Sequence, residues 1–215
     1  MIKALRKTSL IDYPDKIASV IFTGGCNFKC DYCYNTELVH NYNTMKTIPI
    51  DYVMEILLSR KHIINHVVIT GGEPTIHLEM IDFIKQLKDN GFTIKMDSNA
   101  SNNNFSKFLE FIDYVAVDYK APFDYYKDIV NNNIDKKLLL ENFEAAKSMH
   151  HEFRSVVWEK HPLLNSIDEI VDVIGISNYY VQNIKYMKNF IPIEETEINN
   201  FINQLKNKNI KVNLR

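Results

Sequence analysis

Ala18-Ser19-Val20-Ile21-Phe22-Thr23-Gly24-Gly25-Cys26-Asn27-Phe28-Lys29-Cys30-Asp31-Tyr32-Cys33-Tyr34 is the stretch on which the fold turns. Ala18–Phe22 forms a short apolar run of the kind a buried parallel strand presents. Two glycines then release the chain into an eight-residue loop, Cys26 to Cys33, that contains all three cysteines of the protein in CxxxCxxC spacing. Any disulfide among three such neighbours leaves one thiol over. The set suits an iron–sulfur cluster bound by three thiolates, with one iron open for chemistry. Zinc is the other reading of the loop. It needs a fourth ligand such as His40, and structural zinc usually comes with paired CxxC-type spacing.

Further short apolar runs occur at His66–Thr70, Thr93–Asp97, Tyr114–Asp118, Phe153–Val157 and Tyr179–Ile184. Helical periodicity lies between them. After His77, Met80, Phe83, Ile84 and Leu87 fall on one helix face, and Gly91 supplies the stop. Ile198, Phe201, Ile202 and Leu205 repeat the pattern, with Glu194 and Glu195 in the first turn and Lys206 and Lys208 in the last, as the helix macrodipole favours. Helical patterns also fit Asp51–Arg60, Phe105–Phe111, Lys136–His150 and Ser166–Ile174. Strand–helix alternation predicts right-handed crossover units around a parallel sheet. Six repeats fit either an open doubly wound sheet or most of a barrel. The chemistry-bearing residues favour the barrel: Cys26, Gly71-Gly72-Glu73, Ser98-Asn99 and Asp118-Lys120 each stand at or just after a strand, on the face where a barrel builds its site. Arg154 falls inside its strand and has to point into the barrel. The expectation is an α/β chain folded as a partial (β/α)6 TIM-like barrel. It forms a single domain with an N-terminal extension over 1–17, a core over 18–190, and a C-terminal helix and strand over 191–215.

Composition bounds the function. The chain has 215 residues and a net charge of −2, so nothing draws it to nucleic acid or to a membrane surface. No apolar stretch approaches the roughly 20 residues of a membrane span, and the N-terminus lacks the apolar core of a secretion signal. An odd number of clustered cysteines argues for a reducing compartment, and the cytoplasm is expected.

The cysteine spacing followed by an aromatic residue, together with Gly71-Gly72-Glu73-Pro74, resembles the radical S-adenosylmethionine (SAM) superfamily. Ser9-Leu10-Ile11-Asp12-Tyr13-Pro14, Val117-Asp118-Tyr119-Lys120-Ala121-Pro122 and Val212-Asn213-Leu214-Arg215 extend the likeness to the activating proteins of anaerobic ribonucleoside-triphosphate reductase. The resemblance implies a radical SAM oxidoreductase of the glycyl-radical enzyme activating type. Such an enzyme reductively cleaves SAM to a 5′-deoxyadenosyl radical and so generates a glycyl radical on the reductase, with flavodoxin or ferredoxin as electron donor. It implies that Cys26, Cys30 and Cys33 hold a 4Fe–4S cluster with Tyr34 covering it. Gly71, Gly72 and Glu73 line the methionine end of SAM and receive its ammonium. Ser98 and Asn99 contact ribose or methionine, and Asp118, Lys120 and Arg154 form a charged group beside the SAM carboxylate. Tyr34 stands where these activators usually have a histidine.

Blander readings stand beside these. Asp118 and Lys120 also fit a structural ion pair at a strand end, and Ser98 and Asn99 also fit caps of the helix near Asn104. Arg154, inside a buried strand, needs a partner anion in either case. His150, His151 and His161 lie where surface roles are common, and His66 and His77 flank the Gly-Gly-Glu-Pro turn. Two other functions remain open: a radical SAM enzyme acting on a small molecule, such as a deazapurine-forming synthase (7-carboxy-7-deazaguanine synthase-like), and a non-catalytic zinc-binding module.

Overall fold

The computed structural model describes residues 1–185, 187 and 189–215. In chain order the strands are β1 (Ile2–Tyr13), β2 (Lys16–Thr23), β3 (His66–Gly71), β4 (Thr93–Ser98), β5 (Tyr114–Asp118), β6 (His151–Val157), β7 (Asn178–Asn183) and β8 (Lys211–Leu214). The helices are α1 (Thr36–His40), α2 (Ile50–Arg60), α3 (Met80–Asp89), α4 (Phe105–Leu109), α5 (Phe123–Val130), α6 (Lys136–Lys147), α7 (Ile167–Ile174) and α8 (Glu195–Asn207). The strands form one sheet in sequence order, β1 to β8. β1 pairs antiparallel with β2, and every later pair is parallel.

The six expected strands are β2 to β7. β8, expected as the C-terminal strand, joins the same sheet beside β7. The segment expected as an N-terminal extension is itself the long strand β1, hairpinned to β2 through the turn at Asp15, which has a left-handed backbone with φ of 56°. Sequence periodicity passed over it because its burial is irregular, with register shifts after Ile2, Arg6 and Ser9. α5 was also missed. Only Tyr126 and Val130 of its eight residues are buried, too few for a periodic signal.

The strands divide their side chains by alternation. One set packs under the helices in a single large cluster that includes Ile21, Val67, Ile69, Ile94, Met96, Val115, Val117, Phe153 and Val181. Phe83, Ile84 and Leu87 of α3 and Ile198, Phe201 and Leu205 of α8 close over it. Burying one such side chain is worth about 1.5–3 kcal/mol. The opposite set forms a small apolar cluster of Tyr13, Ala18, Val20 and Val68 on one side, while β4, β5 and β6 contribute Lys95, Asp97, Asp118 and Arg154 to a charged group on the other.

Candidate active site

The strand ends that follow Thr23, Gly71, Ser98 and Asp118 surround a cavity of about 740 Å³. Its size is that of a small-molecule or cofactor pocket. Every residue to which the resemblance gave a role lines it: Cys26, Cys30, Cys33, Tyr34, Gly71, Gly72, Glu73, Ser98, Asn99, Asp118, Lys120 and Arg154.

The cysteine loop and the Gly-Gly-Glu-Pro turn are joined backbone to backbone. Gly72 N–H donates to Thr23 O at 2.9 Å, and Glu73 N–H donates to Gly25 O at 2.8 Å. A Cβ on Gly72 would lie 1.9 Å from Gly25 O, so no other residue allows this approach. Asn35, two residues beyond the last cysteine, donates from Nδ2 to Gly71 O at 2.9 Å.

Glu73 is 1% exposed. Its Oε1 accepts from Thr75 N at 3.1 Å, Thr75 Oγ1 at 2.6 Å and Ser98 Oγ at 2.7 Å, and its Oε2 accepts from Asn99 N at 2.8 Å. Burial raises its pKa against these four donors. Ser98 and Asn99 are therefore bound to Glu73 rather than capping α4, whose cap residue Asn104 makes no side-chain cap bond.

A chain of alternating charges crosses the interior. Lys95 pairs with Asp97, and Arg154 reaches Asp97 Oδ2 at 3.2 Å and Asp118 Oδ1 at 2.9 Å. Lys120 Nζ lies 3.2 Å from Asp118 Oδ2. Three cations face two carboxylates, leaving one positive charge in surplus. Burial works against ionising Asp97, but Arg154 and Lys95 outweigh it and hold the carboxyl at about 2. Asp118 is lowered by Lys120 and Arg154 against its burial. Lys120 and Arg154 are raised by these carboxylates despite the desolvation that opposes them.

The three cysteines are free. Burial first, and the charge of Glu73 second, push the Cys26 thiol up to about 12; burial also raises Cys30. Buried thiols so reluctant to ionise become thiolates when a metal takes up the charge. No group of three His, Cys, Asp or Glu side chains among the described residues is gathered around one point as a single metal ion requires. All three cysteines line this one cavity, and three soft thiolate donors from a single loop suit an iron–sulfur cluster. His40, the fourth zinc ligand that the sequence suggested, is exposed and does not line the cavity. The donor set and the Gly72 cradle fit a 4Fe–4S cluster with a SAM-sized ligand.

Several residues sit differently from expectation. Tyr34 is 47% exposed, and its hydroxyl accepts from Lys185 N at 2.9 Å across the cavity rim. The buried aromatics of the loop are Phe28 and Tyr32, and the Tyr32 ring lies 4.8 Å from that of Trp158. His161 is 0% exposed, which corrects the surface expectation. It packs edge-on to Trp158 at 4.1 Å, and its Nδ1 accepts from Leu163 N. His77 Nε2 lies 2.6 Å from Gly24 O and braces the glycine turn. Asp97 and Lys185 line the cavity without having been singled out; Ile11, Asp12 and Arg215, quoted in the sequence only as parts of motifs and given no role, line it too. Lys95 and Asp97 did leave a signal, two charges alternating with the apolar Ile94 and Met96 inside a strand.

Comparison with known proteins bears on the whole arrangement. The Radical SAM superfamily matches residues 20–174, most of the sheet and the entire cysteine loop. The chain belongs to the radical SAM superfamily. Members of this superfamily use a 4Fe–4S cluster and SAM. A Methanocaldococcus jannaschii protein named as a glycyl-radical enzyme activating enzyme is 34% identical over 139 residues, covering 60% of this chain and 54% of that one. The pyruvate formate-lyase-activating enzyme of Clostridium pasteurianum is 24% identical over 93% of this chain and 84% of its own length. A radical SAM methyltransferase from Sphaerobacter thermophilus shares the fold with a TM-score of 0.74 at 14% identity, over 94% of this chain and 67% of that one. The chain thus spans about half the length of the M. jannaschii relative. Among the described residues no helix of this radical SAM protein is long and apolar enough to cross a membrane.

Proposed function

We propose that this radical SAM chain, acting as one domain in the cytoplasm, generates a glycyl radical on an anaerobic ribonucleoside-triphosphate reductase. Cys26, Cys30 and Cys33 hold the 4Fe–4S cluster, and an electron comes from flavodoxin or ferredoxin. The observation that carries the reading is the convergence of three free thiols, a Cβ-free backbone junction and a positively charged ion chain on one cavity. Similarity to proteins named as glycyl-radical enzyme activating enzymes supports the reaction class.

When bound, the cluster and SAM supply one-electron cleavage of a carbon–sulfur bond and a 5′-deoxyadenosyl radical; the protein's own task is binding, orientation and exclusion of water. Lys120 and Arg154 are the cations that meet the SAM carboxylate. Asp97 and Asp118 hold them in place, and the surplus charge of the group favours an anion there. Gly71, Gly72 and Glu73 line the methionine end. Ser98 and Asn99 form the wall beside ribose, set in position by the Glu73 carboxylate. Tyr34, held to Lys185 at the rim, screens the loop from solvent.

The test uses anaerobically reconstituted protein with SAM, reductant and the cognate reductase. 5′-Deoxyadenosine formation together with a glycyl-radical signal on the reductase is the expected result. SAM cleavage with no glycyl signal overturns the choice of partner. Stimulation by a low-molecular-weight substrate with no partner protein present then favours the small-molecule reading. Protein that binds zinc and no iron overturns the enzyme reading altogether.

A further inference from the structure

Asn99 is 3% exposed and stands at the end of β4, facing the cysteine loop. Its amide orientation is fixed by chemistry. Oδ1 accepts from Ser101 N at 3.0 Å, and a backbone N–H can only donate, so Nδ2 must face the loop. That nitrogen donates to Asn27 Oδ1 at 2.9 Å and to Cys26 Sγ at 3.8 Å. Asn27 Nδ2 in turn donates to Ser101 Oγ at 2.7 Å, and Ser101 Oγ donates to Asn99 Oδ1 at 2.7 Å. Asn99, Asn27 and Ser101 therefore close a ring of hydrogen bonds that all run in one sense, an arrangement in which each bond strengthens the next. The ring is anchored on both sides: Asn99 N donates to Glu73 Oε2, and Asn132 Nδ2 donates to Asn27 O at 2.6 Å. One N–H of Asn99 is left for sulfur. Cys26 Sγ also accepts from Phe28 N at 3.3 Å. Among the described residues Cys26 is the one cysteine whose sulfur receives a side-chain hydrogen bond.

We propose that Asn99, held by Asn27 and Ser101, is a positioning residue that raises the reduction potential of the cluster by donating to the Cys26 sulfur. The inference rests on the reading that Cys26 ligates a 4Fe–4S cluster. Reduction adds negative charge to the cluster and its thiolates. A donor aimed at sulfur stabilises the reduced state more than the oxidised one, and such bonds help set iron–sulfur potentials. This role is separate from contact with SAM, because it operates with no SAM bound.

The experiment is an anaerobic redox titration of the reconstituted protein without SAM, followed by the paramagnetic signal of the reduced cluster. Asn99→Ala is expected to shift the reduction equilibrium toward the oxidised form by about threefold to tenfold, tenfold being about 59 mV for a one-electron couple. Asn99→Asp, which keeps the acceptor for Ser101 and replaces the donor by a carboxylate oxygen, shifts it further in the same direction. Asn27→Ala frees the amide from its ring and gives a smaller shift of the same sign. Equal potentials in wild type, Asn99→Ala and Asn27→Ala overturn the proposal. A loss of SAM affinity with unchanged potential also overturns it, leaving Asn99 as a SAM contact only. If Asn99→Ala takes up no cluster, Asn99→Asp and Asn27→Ala decide by the same titration. Wild-type protein that loads no cluster overturns the functional reading itself, whereas loaded clusters of equal potential overturn this inference alone.

Discussion

The two faces of the same strands obey opposite rules. On β4, Ile94 and Met96 lie under helices in the apolar cluster, while Lys95 and Asp97 between them join the interior ion chain. On β6, Phe153 and Val157 are apolar core, and Glu152 and Arg154 face charged partners. Alternation with a period of two lets one short segment serve both a core and a site. The helix-covered face gains from non-directional burial. The interior face keeps its charges only because each has a partner, since an unpaired charge at such depth is strongly destabilising. The apolar packing and the charged cavity lining are thus assigned to different sides of one sheet.

That division can be broken by exchanging the readouts. Phe83→Ala, on the helix-covered side, is expected to cost about 3–5 kcal/mol in denaturant unfolding. SAM affinity of the folded protein should stay as in wild type; a comparable loss of affinity would end the separation of the two faces. Arg154→Met is expected to weaken SAM binding by more than about tenfold, the worth of 1.4 kcal/mol. Its loss of stability should be smaller than that of Phe83→Ala, because Lys95 and Lys120 still pair with Asp97 and Asp118. Titration calorimetry and urea unfolding together check both. Gly72→Ala, at the junction of loop and turn, forces the backbone of Gly25 away and should cost about 1–3 kcal/mol as an overpacked site does. Circular dichroism melts read this cost, and cluster content should fall with it.

Two pH profiles sharpen the same contrast. His161, packed against Trp158, is held neutral: burial lowers its pKa to about 4. Between about pH 6.5 and 4 the unfolded chain binds a proton that the folded chain does not, so stability falls as pH falls through that window. His161→Gln should flatten this limb in unfolding measured against pH. Asp97, among cations, is held charged at about 2. Its contribution is complete above about pH 4 and is lost as pH falls toward 2, a narrower window that Asp97→Asn should remove. A limb that survives either substitution assigns the acid sensitivity to other groups.

Legibility in the sequence followed the strength of the periodic signal. The strands β2 to β7 and helix α3 carry dense apolar periodicity, and their positions were readable. β1 was not, because its buried residues are few and its register shifts. The site was readable at the strand ends because its residue types are rare and clustered: three cysteines in one loop, and two glycines before Glu73. Arg154 was found by the anomaly of a charge inside a strand. Lys95 and Asp97 showed the same anomaly and were passed over, since neither follows its strand as the other site residues do.

The thiol set and the strand–helix alternation were legible in the chain alone, because ligand chemistry and periodicity are local properties, and the superfamily was legible as the likeness of the cysteine and Gly-Gly-Glu-Pro motifs to a known family. Tertiary structure alone decided who partners whom. It turned Glu73 into the strut that holds Ser98 and Asn99, closed the ring of Asn99, Asn27 and Ser101 on Cys26, and buried His161. These pairs are separated by 25 to 74 positions along the chain or depend on how a loop folds over its neighbours. Hydrogen-bond partners at such separations are set by the sheet's register and the course of its loops, which no local pattern in the sequence records.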